Sequence, residues 1–277
     1  MNYNIKSFLY IISCAVLLTS CESEPKKEVQ HTVVVNESEI SAINFSLVKE
    51  HPHDITSFTE GFLFHDGKLF ESTGASPGLS QTKSLFGIVD LKTGKIDAKA
   101  ELDREIYFGE GIVILKGKLF QVTYKNQKGF IYDAKTFKKI GEFNYNNKEG
   151  WGLTTDGKSI IMSDGTSYLT YIDPTNFSVT KLLEVAENDR ILANLNELEY
   201  INGFIYANVW MTNSIVKIDP NTGDVVGKMD LSDLAYQSKM QNPNALEMNG
   251  IAYDSLSNKI MVTGKLWPTI YEIKFPL

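Results

Sequence analysis

Five copies of one strand–turn–strand unit recur along this chain, and their spacing limits the folds it can adopt more than any other feature. The copies open as FTEGFLFHDGKLF from Phe58, FGEGIVILKGKLF from Phe108, GWGLTTDGKSII from Gly150, LNELEYINGFIY from Leu195 and LEMNGIAYDSLSNKIM from Leu246. Aligned on their turns, they place Glu60, Glu110, Trp151, Asn196 and Asn249 at one equivalent position, at intervals of 50, 41, 45 and 53 residues. A second landmark keeps step: an apolar run closing on Asp90, Asp133, Asp173 and Asp219, with Lys274 in the fifth slot. A repeat of this length with material for four strands predicts an all-β, five-bladed propeller.

The first two strands of each repeat form a hairpin whose turn is legible: Asp66-Gly67, Lys116-Gly117, Asp156-Gly157, Asn202-Gly203 and Ser257-Asn258. Most of these pairs tolerate positive φ. In an antiparallel hairpin, residues equidistant from the turn face each other. The rule pairs Glu110 with Tyr124, Asn196 with Trp210 and Asn249 with Lys265. All the hairpins of a propeller point the same way along its axis. Glu60, Glu110, Tyr124, Trp151, Asn196, Trp210, Asn249 and Lys265 therefore converge on one mouth of the ring.

The chain ends in the fifth copy of the third strand, which leaves the last blade without an outer strand. Ile43–Lys49 alternates apolar and polar residues and is predicted to fill that gap, closing the ring and removing its exposed edges. The longer insertions 184–194 and 230–245 are expected to carry short helices that wall the mouth. Residues 43–277 thus form the propeller. Residues 22–42, polar and without period, read as a flexible tether. The first 21 residues read as a targeting segment. Lys6 supplies the positive region, Phe8 to Leu18 an apolar stretch too short to span a bilayer, and Leu18-Thr19-Ser20-Cys21 a bacterial lipoprotein cleavage box. Cys21 would then carry the lipid. With Cys14 in the removed leader, the mature chain can form no internal disulfide. The expected location is the cell envelope, anchored to a membrane on its periplasmic or surface face.

A net charge of −7 and the absence of any basic patch argue against a nucleic-acid partner. The sequence shows no cysteine–histidine zinc pattern, phosphate-binding glycine loop or serine nucleophile elbow. His51 and His53, flanking Pro52, read as a surface pair rather than a metal site. Gly61, Gly111, Gly152 and Gly250 point to close packing between blades or to a bulge. A carboxylate in a crowded mouth is costly unless partnered or used. Glu60 and Glu110 are accordingly either acceptors for backbone amides or working groups. Trp151 and Trp210 at the mouth favour an aromatic pocket, and Trp267, beside Pro268, suits the core.

From about Phe58 to Ile273 the chain resembles the plant and bacterial type of glutaminyl-peptide cyclotransferase. The resemblance rests on ESTG at Glu71–Gly74, FGEG at Phe108–Gly111, EGWGLT at Glu149–Thr154, MSDG at Met162–Gly165, NLNELE at Asn194–Glu199, ANVW at Ala207–Trp210, NGIAYD at Asn249–Asp254 and TGKLWP at Thr263–Pro268. It implies a five-bladed propeller that converts the N-terminal glutamine of peptides to pyroglutamate with release of ammonia, without catalytic zinc. It also implies Glu110 as the proton-transfer group, with Asn196 and Lys265 as polar catalytic contacts. Phe58, Phe108, Trp151 and Trp210 would line the substrate pocket, joined at the mouth by Glu60 and Tyr124. No cofactor is implied; a structural calcium stays open, and a monomer is expected. Where the family often has glutamine this chain has Glu60, and where it often has tryptophan it has Tyr124. The first departure sets two carboxylates side by side, which raises one pKa. Two other function classes fit a propeller mouth: a metal-dependent lactonase using Glu60, Glu110, Asn196 and Asn249, and a non-catalytic binding scaffold.

Overall fold

Three of the inner hairpins turn where glycine follows a residue tolerant of positive φ. Asp66–Gly67, Lys116–Gly117 and Asn202–Gly203 all have positive φ at both positions, the two-residue turn whose twist matches its strands. In the third and fifth blades the last paired residues are Thr155 with Ile160 and Asp254 with Lys259, so those connections are longer. The computed structural model describes residues 40–277. The expected leader, the Cys21 lipidation site and most of the tether fall outside the described residues.

Five antiparallel sheets follow in order. The first blade comprises Thr59–His65, Lys68–Thr73, Leu85–Val89 and Ile96–Glu101, and the second Gly109–Leu115, Lys118–Thr123, Lys128–Asp133 and Lys139–Asn144. The third comprises Leu153–Thr155, Ile160–Met162, Tyr168–Ile172 and Val179–Glu184, and the fourth Leu195–Ile201, Phe204–Val209, Ser214–Ile218 and Val225–Asp230. The fifth has Met248–Asp254, Lys259–Gly264 and Thr269–Lys274, and its outer strand is supplied by Ser46–Pro52 from the start of the chain. The ring is therefore closed by an N-terminal strand, displaced a few residues from the predicted Ile43–Lys49. Ile43 instead continues a short parallel pairing of Ser41–Ala42, inside the stretch read as tether, with the outer strand of the fourth blade. The side chain of Ile43 covers Gly227 there.

Inner strands bury almost every residue, whereas outer strands leave most of theirs exposed or half-buried. The core lies between the blades: Val113, Phe120 and Val122 of the second pack with Leu153, Ile160 and Met162 of the third. Asp90, Asp133, Asp173 and Asp219 each follow or end a third strand and accept a backbone N–H from residues two or three further on. That local turn explains why the landmark recurs.

Near the mouth, every inner hairpin carries the same irregularity. The register slips by one residue between Thr59 and Gly61, Gly109 and Ile112, Leu195 and Leu198, and Met248 and Ile251. In the third blade the N–H of Trp151 donates to Ser163, and that of Ser163 to Gly152, so two residues again face one. These bulges contain Glu60, Glu110, Trp151, Asn196 and Asn249. They also overturn the simple mirror pairing: Tyr124 bonds to Phe108, Trp210 to Asn194 and Lys265 to Glu247. The extra residue on the first strand shifts each partner by one place, and the true centre of each turn, as in the Leu115–Lys118 pairing, shifts it by one more.

Four of the five bulges follow the mouth residue with glycine, and the reason is steric. A Cβ on Gly111 or Gly152 would run into the backbone of the next blade, at Trp151 to Leu153 and at Asn196 and Glu197 respectively. The fourth blade has Glu197 instead. Its buried carboxylate accepts the backbone N–H groups of Phe62 (3.1 Å) and Ile251 (2.8 Å), tying the fourth blade to the first and fifth.

Two further expectations are corrected. Insertion 230–245 holds the helix Ser232–Gln241, but 184–194 holds a two-stranded hairpin, Ala186–Glu187 with Arg190–Ile191. His51 and His53 are buried rather than superficial. His51 meets Glu272 at 3.2 Å, and His53 meets Glu71 at 3.1 Å where the closing strand enters the ring. Burial pulls the His53 pKa down, but the Glu71 carboxylate outweighs it and leaves the value raised.

Replacing Glu197 with alanine strands two buried amides, each costing about 1–3 kcal/mol. The expected result in a thermal melt is a loss of at least about 4 °C, with a smaller loss for Glu197→Gln. An unchanged melting temperature for the alanine variant would contradict the clasp.

Candidate active site

Four of the five bulges deliver their side chains into one cavity of about 600 Å³ at the mouth of the ring. Its wall includes Phe58, Glu60, Phe108, Glu110, Tyr124, Trp151, Asn196, Trp210 and Lys265. All nine site residues expected from the sequence thus lie together. Asn249 does not line the cavity. It stands behind Glu60, donating through Nδ2 to the Glu60 carboxylate (3.0 Å) and to the Thr59 carbonyl (2.9 Å).

Hydrogen bonds between blades hold the bulges. Ser72 of the first blade donates through Oγ to the Glu110 carbonyl (2.5 Å) and itself accepts from Gln121 (3.1 Å). Ser163 of the third blade does the same for the Asn196 carbonyl (2.7 Å). The aromatic wall is built from ring contacts: Phe58 edge-on to Phe108 and Phe108 tilted against Tyr124, both at 5.8 Å, and Trp151 edge-on to Trp210 at 5.7 Å. Such contacts favour a fixed arrangement of the rings. Trp151 is further held by Glu149, whose carboxylate accepts the indole Nε1–H at 3.0 Å. Gly165, at φ +78°, lies under that indole, and a Cβ there would come within 2.6 Å of the ring.

Three ionisable groups sit almost wholly out of solvent: Glu60 at 2 %, Glu110 at 4 % and Lys265 at 6 % exposure. The Lys265 ammonium pairs with Glu60 at 2.8 Å and lies 4.7 Å from the centre of the Phe58 ring. Burial pushes the Glu60 pKa up to about 7 against the pull of Lys265. Burial would lower the pKa of Lys265, but Glu60 and Glu110 more than offset it and leave it raised. Glu110 is lifted well above the usual carboxylate range, first by burial and then by the charge of Glu60, with Lys265 pulling the other way. One carboxylate is therefore neutralised by the lysine, and the other favours keeping its proton. Asn196, 3 % exposed, has an Oδ1 with no partner and lines the same cavity.

Known proteins share this fold and much of this sequence. Residues 12–275 match the family model described as glutamine cyclotransferase. The chain belongs to the glutamine cyclotransferase family. A glutaminyl-peptide cyclotransferase from Arabidopsis thaliana is 43% identical over 230 residues, covering 82% of this chain and 70% of the plant protein. The crystal structure of Myxococcus xanthus glutaminyl cyclase superposes with a TM-score of 0.76 at 31% identity, covering 86% of this chain and 98% of that one.

The cavity of this cyclotransferase has further wall residues that the repeat pattern does not single out: Ser76, Glu149, Asp164, Thr166, Leu246 and Glu247. Glu149 and Asp164 lie inside the EGWGLT and MSDG strings, which signalled them without assigning a place. Leu246 and Glu247 carry no local signal and arrive through the backbone pairing with Lys265. A divalent cation bound by Glu60, Glu110, Asn196 and Asn249 is poorly served here, because the Lys265 ammonium and the Asn249 amide already occupy the Glu60 carboxylate.

Glu60→Gln removes a negative charge that raises Glu110, so the Glu110 pKa should fall. Carbon NMR titration of labelled glutamate, assigned against Glu110→Gln, reads the shift. A Glu110 pKa that stays put or rises would contradict the coupling.

Proposed function

We propose that this cavity closes the N-terminal glutamine of a peptide into pyroglutamate, with Glu110 carrying the proton between the two nitrogens. Family membership supplies the activity class, a glutaminyl-peptide cyclotransferase and hence an acyltransferase. The observation that supports the proton role is a single carboxyl, buried among aromatic rings and lifted in pKa, beside a carboxylate already neutralised by lysine.

The α-amine and the side-chain amide belong to one residue, so the site has to select a rotamer and exclude water rather than gather two reactants. The aromatic wall and the Trp151–Trp210 pair suit the glutaminyl side chain. A free α-amine has a pKa near ~8. A carboxyl raised towards that value shares one proton with it at little cost. With the proton on Glu110, the neutral amine attacks the amide carbon and forms a tetrahedral intermediate with a cationic ring nitrogen and an oxyanion. Lys265 faces the oxyanion, a contact of a kind worth ~3–4 kcal/mol. The Asn196 carboxamide accepts an amide N–H of the substrate through its unpartnered oxygen. Glu110 then protonates the departing nitrogen and takes the proton from the ring nitrogen. Ammonia leaves and Glu110 regains its starting state.

Glu110→Gln should fold normally and release ammonia from a Gln-initiated peptide about 10²–10⁴-fold more slowly. Mass spectrometry of the peptide follows the loss of ammonia. Near-normal turnover by that variant would remove Glu110 from the mechanism.

The lipoprotein box supports a chain held in the cell envelope by a lipid on Cys21, acting there on peptides or proteins with N-terminal glutamine. Cys21→Ser should move the protein from the membrane fraction to the soluble fraction. Retention in the membrane fraction would contradict the anchor.

A further inference from the structure

The catalytic residues occupy only the deep part of the cavity. Its volume of about 600 Å³ falls in the range of sites that enclose a drug-sized ligand, so one glutaminyl residue does not fill it. The residue that follows glutamine must pass the rim, and the rim is acidic. Glu149 and Asp164 come from the third blade side and Glu247 from the fifth. Glu149 is partnered by Lys125 at 3.6 Å, and Lys125 also lies 4.4 Å from the centre of the Tyr124 ring. Among the described residues, Asp164 and Glu247 form no ion pair. Asp164 accepts only from neutral groups, the Asn147 amide (2.9 Å) and Thr166. The cavity therefore presents five carboxyl groups, Glu60, Glu110, Glu149, Asp164 and Glu247, against a single lining cation, Lys265; with Glu60 paired to that lysine and Glu110 favouring its protonated form, the negative charge comes from the rim.

A second observation points to a ligand: Asn196 lines the same cavity, and its Oδ1 is buried without a hydrogen-bond partner. The rim also offers aromatic faces. The Lys125 ammonium over Tyr124 is an existing instance of a cation on that wall, and a guanidinium or ammonium from a peptide would find the same surface.

We propose that Asp164 and Glu247 make this site select N-terminal glutamine peptides whose next residue carries a cationic side chain, arginine or lysine. The inference rests on the cyclotransferase reading and names its substrate class. Rim carboxylates without an ion-pair partner attract such a peptide during approach and repel one with glutamate in the same place. Neither residue touches the reacting atoms.

The test uses three peptides that differ only at the second residue: Gln-Arg, Gln-Ala and Gln-Glu, each with the same neutral tail. Their kcat/KM values for ammonia release are compared at low and high salt. The expected ratio of Gln-Arg to Gln-Glu is at least roughly tenfold at low salt, and it shrinks towards one as salt screens the rim. The double variant D164N/E247Q should lose most of that ratio at low salt. Because each ratio is taken within one preparation, incomplete folding of the variant cancels, and the salt series on the parent stands even if the variant cannot be made. A parent that turns over all three peptides equally overturns the inference and leaves the cyclotransferase reading intact. A ratio that survives both high salt and the double variant also overturns it. A parent that turns over none of the three removes the reading itself, and the inference with it.

Discussion

The extra residue in each inner hairpin governs what this ring can do. An ordinary strand alternates its side chains between faces, and blade packing takes both faces. Placing one unpaired residue at the same level of each hairpin turns one side chain per blade towards the mouth, where it need not pack against a neighbouring sheet. The neighbouring blades then constrain the sequence around it. Gly111 and Gly152 are glycine because the next blade's backbone occupies the space of a Cβ. Ser72 and Ser163 hold the carbonyls of Glu110 and Asn196 across the blade boundaries. The bulge residues are thus fixed by main-chain geometry, and the aromatic residues and Lys265 sit directly beside them at the strand ends.

Electrostatics divides the labour within that frame. Burying two carboxylates and one ammonium together is expensive, and a structure gains little stability from it unless each charge finds a partner. Glu60 finds Lys265 and Asn249. Glu110 has no such partner, and burial together with the charge of Glu60 favours its protonated form. The same crowding that makes Glu110 a poor structural element suits it to exchange a proton with an amine. Farther out, Asp164 and Glu247, with more solvent and no ion-pair partner among the described residues, give the rim its field.

Much of this was legible in the sequence because turns and periods are local. The Asp66-Gly67, Lys116-Gly117 and Asn202-Gly203 pairs marked the hairpins, and the hairpins marked the mouth. The recurrence of a mouth residue before glycine marked the bulge. What the pattern missed depends on contacts far apart along the chain. The mirror rule paired Tyr124 with Glu110, whereas the turn centre and the inserted residue together bring it against Phe108. The closing strand came a few residues late, because Ile43 finds a better place over Gly227 on the fourth blade. Nothing local distinguishes Glu197 from a surface glutamate, yet it clasps amides of two other blades. His51 and His53 looked superficial until the ring closed over them and set Glu272 and Glu71 opposite.

A crystal structure of the Glu110→Gln variant with a bound Gln-initiated peptide tests the central claim most directly. The account predicts the peptide's α-nitrogen within hydrogen-bond reach of residue 110, its side chain against Trp151 and Trp210, and its amide oxygen turned towards Lys265. A peptide whose terminus lies outside the ring of bulges, or whose α-nitrogen sits against Lys265 instead of residue 110, would contradict it.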